Sequence, residues 1–133
     1  MGRAGRLGLL LDSATLIWWA LDNKRLSLAA SLAIRSAERI VVSSVTAMEL
    51  ATKLRIGKLP QVRPLVEGFT AHCAAEGFDL LPLSHEHALV GGMIPGEHRD
   101  PFDRMLAVQA IVEDLTIVTP DTAFDVLGAR RLW

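Results

Sequence analysis

Asp12, Glu49, Asp103 and Asp121 are the side chains that would do chemistry together if the fold gathers them, with Asp100 as a fifth acid beside Asp103. The densest stretch is His98-Arg99-Asp100-Pro101-Phe102-Asp103-Arg104, which runs into the apolar series Met105-Leu106-Ala107-Val108 and so crowds acids, bases and helix-start signals into one junction. Carboxylates brought that close repel by about 4 kcal/mol per pair at 4 Å with an effective dielectric near 20. Left unpaired, they raise one another's pKa. A divalent cation removes the difficulty, and an all-oxygen set without Cys or His suits Mg2+ or Mn2+. Mg2+ keeps several waters and takes only one or two carboxylates directly, so some of these acids are expected to act through water or to orient other ligands.

Each acid also has a plainer reading. Asp12 can cap a helix starting near Ala14. Glu49 precedes Lys53 by four residues, the favoured order of a helical ion pair worth about 0.2 to 0.5 kcal/mol. Around it Val45, Met48, Leu50, Leu54 and Ile56 are expected to wrap the helix in apolar side chains, leaving Thr46, Glu49 and Lys53 as a narrow polar stripe. Asp100 before Pro101 explains itself as an N-cap, and Asp103 sits where an acid favours the helix dipole. Asp121 after Thr119-Pro120 reads equally as a turn or cap acid. His85 and His87 are two apart and face different ways on a helix, so zinc is not expected. His98 is nearer the acids and is expected to pack or hydrogen-bond locally. Trp18 and Trp19 read as core or interface residues.

The order of elements brings the acids to one edge. Leu7–Leu11 is a wholly apolar run that fits a strand buried on both faces, ending at Asp12. Helices are expected over 14–21 and 26–37, then a strand over 39–43 and a helix capped by Ser43 or Ser44 that carries Glu49 toward Gly57. A helix from about Val62 to Gly77, a strand over 78–81 and a short helix from Ser84 that fails near Gly91-Gly92 follow. After a loop to Arg99 comes the clearest helix, 102–113, then a strand over 115–119, a short helix from about Asp121 and a last strand near 131–133. Alternating strands and helices imply an α/β domain with a mostly parallel central sheet flanked by helices. Ligands bind such sheets beyond the carboxyl ends of the strands, where Asp12, Glu49 and Asp121 converge and the Asp100–Asp103 helix start can reach.

Composition bounds the rest. The 133 residues are 50% apolar, enough for one domain with a core. Fourteen basic residues against fifteen acidic ones give a net charge of -1, so nucleic acid would be held by a local basic surface. The single Cys73 excludes an internal disulfide, suits a reducing cytoplasm, and reads as a small core or surface residue. The basic start before Leu7 is not a secretion signal, since Asp12 ends the apolar run after about five residues where roughly 7 to 15 are needed. No run approaches the roughly 18 apolar residues of a membrane span. A soluble protein of the cytoplasm is expected.

With these residues in view, the chain resembles PIN-domain ribonucleases, particularly the VapC-like toxins of type II toxin-antitoxin pairs. Four blocks carry the likeness from Leu9 to Trp133: Leu9-Leu10-Leu11-Asp12-Ser13; Ser44 through Glu49 and Lys53 to Gly57-Lys58-Leu59; His98 to Ala110; and Thr119-Pro120-Asp121. The resemblance implies a PIN-like three-layer sandwich over residues 1–133, with Asp12, Glu49, Asp103 and Asp121 as catalytic, metal-binding acids. Asp100 belongs to the same motif, with direct metal contact left open, and Thr119 assists through its hydroxyl. Ser13-Ala14 stands where close relatives carry Thr-His, so Ala14 supplies no polar contact. The implied activity is endonucleolytic cleavage of RNA with Mg2+ or Mn2+, with Lys53, Arg99 and Arg104 as candidates to hold the RNA backbone. The implied partners are a small antitoxin and a second copy of the chain. A nuclease of RNA or DNA processing outside any toxin system is the runner-up, and a noncatalytic interaction domain is a third reading.

Overall fold

The computed structural model describes residues 8–96 and 100–133. The apolar runs form five short strands: β1 (Leu9–Leu11), β2 (Ile40–Ser43), β3 (Asp79–Leu81), β4 (Thr116–Val118) and β5 (Arg131–Leu132). All four pairings are parallel, in the order β3-β2-β1-β4-β5. Every residue of β1 and β2 is buried, as expected where both sheet faces are covered and no polar alternation is possible.

Around the sheet lie α1 (Ser13–Ala20), α2 (Leu28–Ser36), α3 (Ser44–Arg55), α4 (Arg63–Glu67), α5 (Phe69–Glu76), α6 (His85–Met93), α7 (Pro101–Val112) and α8 (Ala123–Val126). Because side chains alternate along a strand, each strand feeds two cores. Leu9, Leu11, Val42 and Val118 join Leu16 and Ile17 of α1, Ile34 of α2 and Leu65 of α4 on one face. Leu10, Val41 and Ile117 join Leu106, Ala107 and Ala110 of α7 and Phe124 of α8 on the other. Helix α3 straddles the layers, since Leu50 belongs to the first core and Val45 to the second. The expected three-layer α/β sandwich is thus the observed one.

Three local expectations are corrected. The helix expected over 62–77 is a 3-10 turn at Pro60–Val62 followed by α4 and α5, broken at Gly68, whose lack of a side chain weakens a helix interior. The helix expected to fail near Gly91-Gly92 continues to Met93. A Cβ on Gly91 would lie 2.8 Å from Met105 Sδ, so the bare glycine leaves room for the Met105 thioether of α7 against α6. The helix α3 is not wrapped in apolar residues either, because Met48 is 64% and Ile56 50% exposed, while its inward face carries Thr46 and Glu49.

A buried polar strut joins the layers near the start of α3. Ser43 caps α3 by accepting from the Val45 N–H at 2.9 Å, and its own hydroxyl donates to Gln109 Oε1 on α7. Gln109 Nε2 donates to the Pro82 carbonyl at 3.4 Å. Beside it His87, also fully buried, accepts the Ser84 N–H on Nδ1 at 3.0 Å, so its neutral ring donates from Nε2 to Glu113 Oε2 at 2.9 Å. His87 is thereby a capping residue of α6. Gln109→Leu keeps most of the volume but strands the Ser43 hydroxyl. It is expected to cost about 1 to 3 kcal/mol, seen as a lower urea midpoint at unchanged slope.

Candidate active site

Strand order reverses between β1 and β4, the position beyond whose carboxyl ends parallel α/β sheets bind ligands. Asp12 leaves β1 there and Thr119 leaves β4. The two are joined directly: Thr119 Oγ1 donates to Asp12 Oδ2 at 2.6 Å, and the Thr15 N–H donates to Asp12 Oδ1 at 2.8 Å. Thr15 in turn donates through Oγ1 to the Val118 carbonyl at 2.6 Å, which ties α1 to β4. The cap reading of Asp12 therefore holds, and the same carboxylate also bridges β1 to β4 through Thr119.

Glu49 approaches from α3 and is only 4% exposed. Its Oε2 accepts from Lys53 Nζ at 2.7 Å, the helical pair expected from the spacing. Burial raises the Asp12 carboxyl above its ordinary value; the bonds from Thr119 and Thr15 pull it down without cancelling that effect, and the charge of Glu49 adds to the rise. Two like charges are thus held close, nearly dry and incompletely compensated.

The remaining acids stand differently. Asp121 is exposed; its N–H donates to Thr119 Oγ1 at 3.0 Å, and its Oδ1 accepts from the Ala123 N–H at 2.9 Å. Asp100 caps α7, with Oδ1 accepting from the N–H groups of Phe102 at 2.9 Å and Asp103 at 3.4 Å. Asp103 is half-buried in the first turn of α7. His98 and Arg99 lie outside the described residues. Arg104 is engaged elsewhere than the acids' edge alone: it donates to the carbonyls of Gly91 at 3.0 Å, Gly96 at 3.2 Å and Ile94, closing the exit of α6.

Among the described residues no three His, Cys, Asp or Glu side chains are arranged to hold an ion between them. A hard cation does not require three, since Mg2+ binds through one or two carboxylates and keeps its waters. The Asp12–Glu49 pair meets that need, and an orphaned atom supports it. Glu49 Oε1 is buried and has no hydrogen-bond partner, in the same condition as the Thr46 hydroxyl one turn earlier. Buried polar atoms are rarely left so without an ion or water to meet them. The donor chemistry therefore fits Mg2+ or Mn2+ at Asp12 and Glu49.

Sequence comparison decides the family. The family model described as PIN domain matches residues 9–129. The chain belongs to the PIN-domain family. A relative, Ribonuclease VapC22 of Mycobacterium tuberculosis, is 34% identical over 124 residues, covering 84% of this chain and 85% of its own. Solved PIN-like neighbours share the fold. DNA-bound VapBC from Salmonella typhimurium matches at 24% identity and TM-score 0.67 over 94% of this chain and 96% of its own. FitAB bound to the IR36 DNA fragment matches at 19% and 0.68 over 93% of each chain. VapBC2 from Rickettsia felis bound to a promoter DNA fragment matches at 16% and 0.66, over 94% of this chain and 97% of its own.

Other side chains of this PIN domain fall where their types direct them. Trp18 packs at 5.6 Å against Trp133, and Trp19 at 6.4 Å against Phe78 with the Arg35 guanidinium 5.9 Å above its ring. Cys73 is in the core, where burial pushes its thiol up and keeps it unreactive. No described helix is long and apolar enough to cross a membrane. Sequence reasoning did not single out Thr15, although a threonine three residues after a cap acid is a signal for such a tie. Thr119→Val would strand the Asp12 oxygen and the Asp121 N–H together. The expected loss is about 1 to 3 kcal/mol in the metal-free protein, read by thermal or urea unfolding.

Proposed function

We propose that this PIN domain is an endoribonuclease dependent on Mg2+ or Mn2+, acting in the cytoplasm as the toxin of a type II toxin-antitoxin pair. The observation that carries the reading is the buried Asp12–Glu49 pair at the β1–β4 switch point, locked by Thr119 and left with an open carboxylate oxygen. Likeness to Ribonuclease VapC22 supports ribonuclease chemistry, and likeness of fold to a toxin-antitoxin complex from Klebsiella pneumoniae supports an antitoxin partner.

Asp12 and Glu49 would hold the cation, with Asp103 and Asp121 completing the acidic edge and Asp100 serving mainly as the cap that fixes the start of α7. A divalent ion held there would supply positive charge toward the phosphoryl oxygens and would lower the pKa of water at the site, making hydroxide available near neutral pH. The chain's own contribution is orientation. Thr15 and Thr119 fix the two oxygens of Asp12, and Lys53 holds Oε2 of Glu49 while Oε1 has no partner. Lys53, half-buried beside Glu49, is also the cation placed to meet an RNA phosphate. Arg104, the other described candidate, gives three of its five N–H donors to the carbonyls of Gly91, Gly96 and Ile94, so Lys53 is the stronger candidate for a phosphate.

The test is cleavage of an RNA panel with Mg2+ or Mn2+, with and without chelator. Chelator is expected to abolish cutting, and Asp12→Asn and Asp103→Asn each to lower the rate by about 100-fold or more. Full activity in chelator, or in both variants, would overturn the metal-nuclease reading. Growth arrest on expression of the intact chain, absent with Asp12→Asn, distinguishes a toxin from a processing nuclease.

A homodimer has a ready surface. Leu89, Met93 and Ile111 are 72%, 84% and 44% exposed and line one shallow apolar groove between α6 and α7. Met93→Asp is expected to shift light-scattering mass from two chains toward one without lowering the helix content seen by circular dichroism. An unchanged mass would place the contact elsewhere or exclude it.

A further inference from the structure

The inward face of α3 holds a hydroxyl that nothing in the fold uses. Thr46 is fully buried, yet its Oγ1 has no hydrogen-bond partner. A helical threonine commonly satisfies itself by donating to the carbonyl four residues back, here Val42, and Thr46 does not. It is not a cap either, because Ser43 caps α3. Valine would fill the same space without an unpaired polar atom, so the fold alone gives no reason for threonine at this position.

Its location supplies one. Thr46 and Glu49 are three residues apart, which makes them neighbours on the helix surface, about 5 to 6 Å between Cβ atoms. Val45 on one side of this stripe belongs to one core, and Leu50 on the other side belongs to the second. Thr46 and Glu49 therefore share the seam between two apolar clusters, and each presents a buried oxygen without a partner. Asp12 enters the same seam from β1, after Leu10 of one core and Leu11 of the other.

Resting on the metal reading above, we propose that Thr46 Oγ1 and Glu49 Oε1 form one oxygen subsite of the cation position, with Thr46 supplying a neutral donor beside the carboxylate. Hard divalent cations accept neutral oxygens readily, directly or across a water. A neutral donor adds coordination at this position without adding a third negative charge to Asp12 and Glu49.

The test is Mn2+ binding by calorimetry to the metal-stripped full chain, with unfolding temperatures of the same proteins. Thr46→Val is expected to weaken Mn2+ binding about 10-fold while leaving the metal-free unfolding temperature unchanged or raised, and Thr46→Ser to bind within about 3-fold of the parent. Parental Mn2+ affinity in Thr46→Val would overturn the proposal. So would a fall of several degrees in its metal-free unfolding temperature, which would show that the hydroxyl serves the fold. Asp12→Asn and Glu49→Gln separate the two levels of the argument. If both bind Mn2+ like the parent, or the parent binds none, the cation reading fails and takes the subsite with it. If both lose Mn2+ and Thr46→Val does not, the subsite alone fails.

Discussion

Keeping two carboxylates nearly dry at one end of a parallel sheet is the constraint around which this chain is organised. An isolated buried carboxylate costs several kcal/mol, and a second one nearby adds repulsion. Asp12 is tolerated because a hydroxyl and a backbone N–H each take one of its oxygens. Glu49 is tolerated because an ammonium takes one of its two oxygens. What is left over is a raised Asp12 carboxyl and a Glu49 oxygen without a partner, the two features on which the proposed cation site rests.

The supporting structure follows from that need. Helix α3 has to present Glu49 to the switch point at a fixed angle, and the Ser43–Gln109 bond sets its start against α7. Helix α7 is set in turn by the Asp100 cap, by the close approach that Gly91 allows Met105, and by the Arg104 bonds to the α6 exit. Glu49 and Asp103 thus sit on two helices referenced to one another through buried hydrogen bonds and close packing. Such rigid elements hold a reacting geometry better than loops do.

Much of this was legible in the residues. The uninterrupted apolar runs at Leu9–Leu11 and Ile40–Val42 read as buried parallel strands, and Asp100-Pro101 as a helix start, and the structure has both. The stripe Thr46, Glu49, Lys53 was visible as a pattern, but its direction was misjudged. Apolar Met48 and Ile56 suggested a helix buried all round, whereas they face outward and the polar stripe faces in. Helical periodicity gives the angle between residues and not which side meets the sheet. Gly91-Gly92 read as a stop because propensity is local, while Met105 is fourteen positions away in the chain. The partnering of Asp12 with Thr119 needed the strand order, which no single segment contains.

That last partnership spans almost the whole chain: Asp12 and Thr119 are 107 positions apart, and Thr15 and Val118 are 103. During synthesis, β1 is an edge strand until β4, more than a hundred positions later in the chain, inserts beside it. A nascent chain carrying Asp12, Glu49 and Asp103 but lacking Thr119 has the acids without the lock that orients them. Assembly of this edge is therefore tied to the docking of β4 beside β1, and not to the presence of the acids alone.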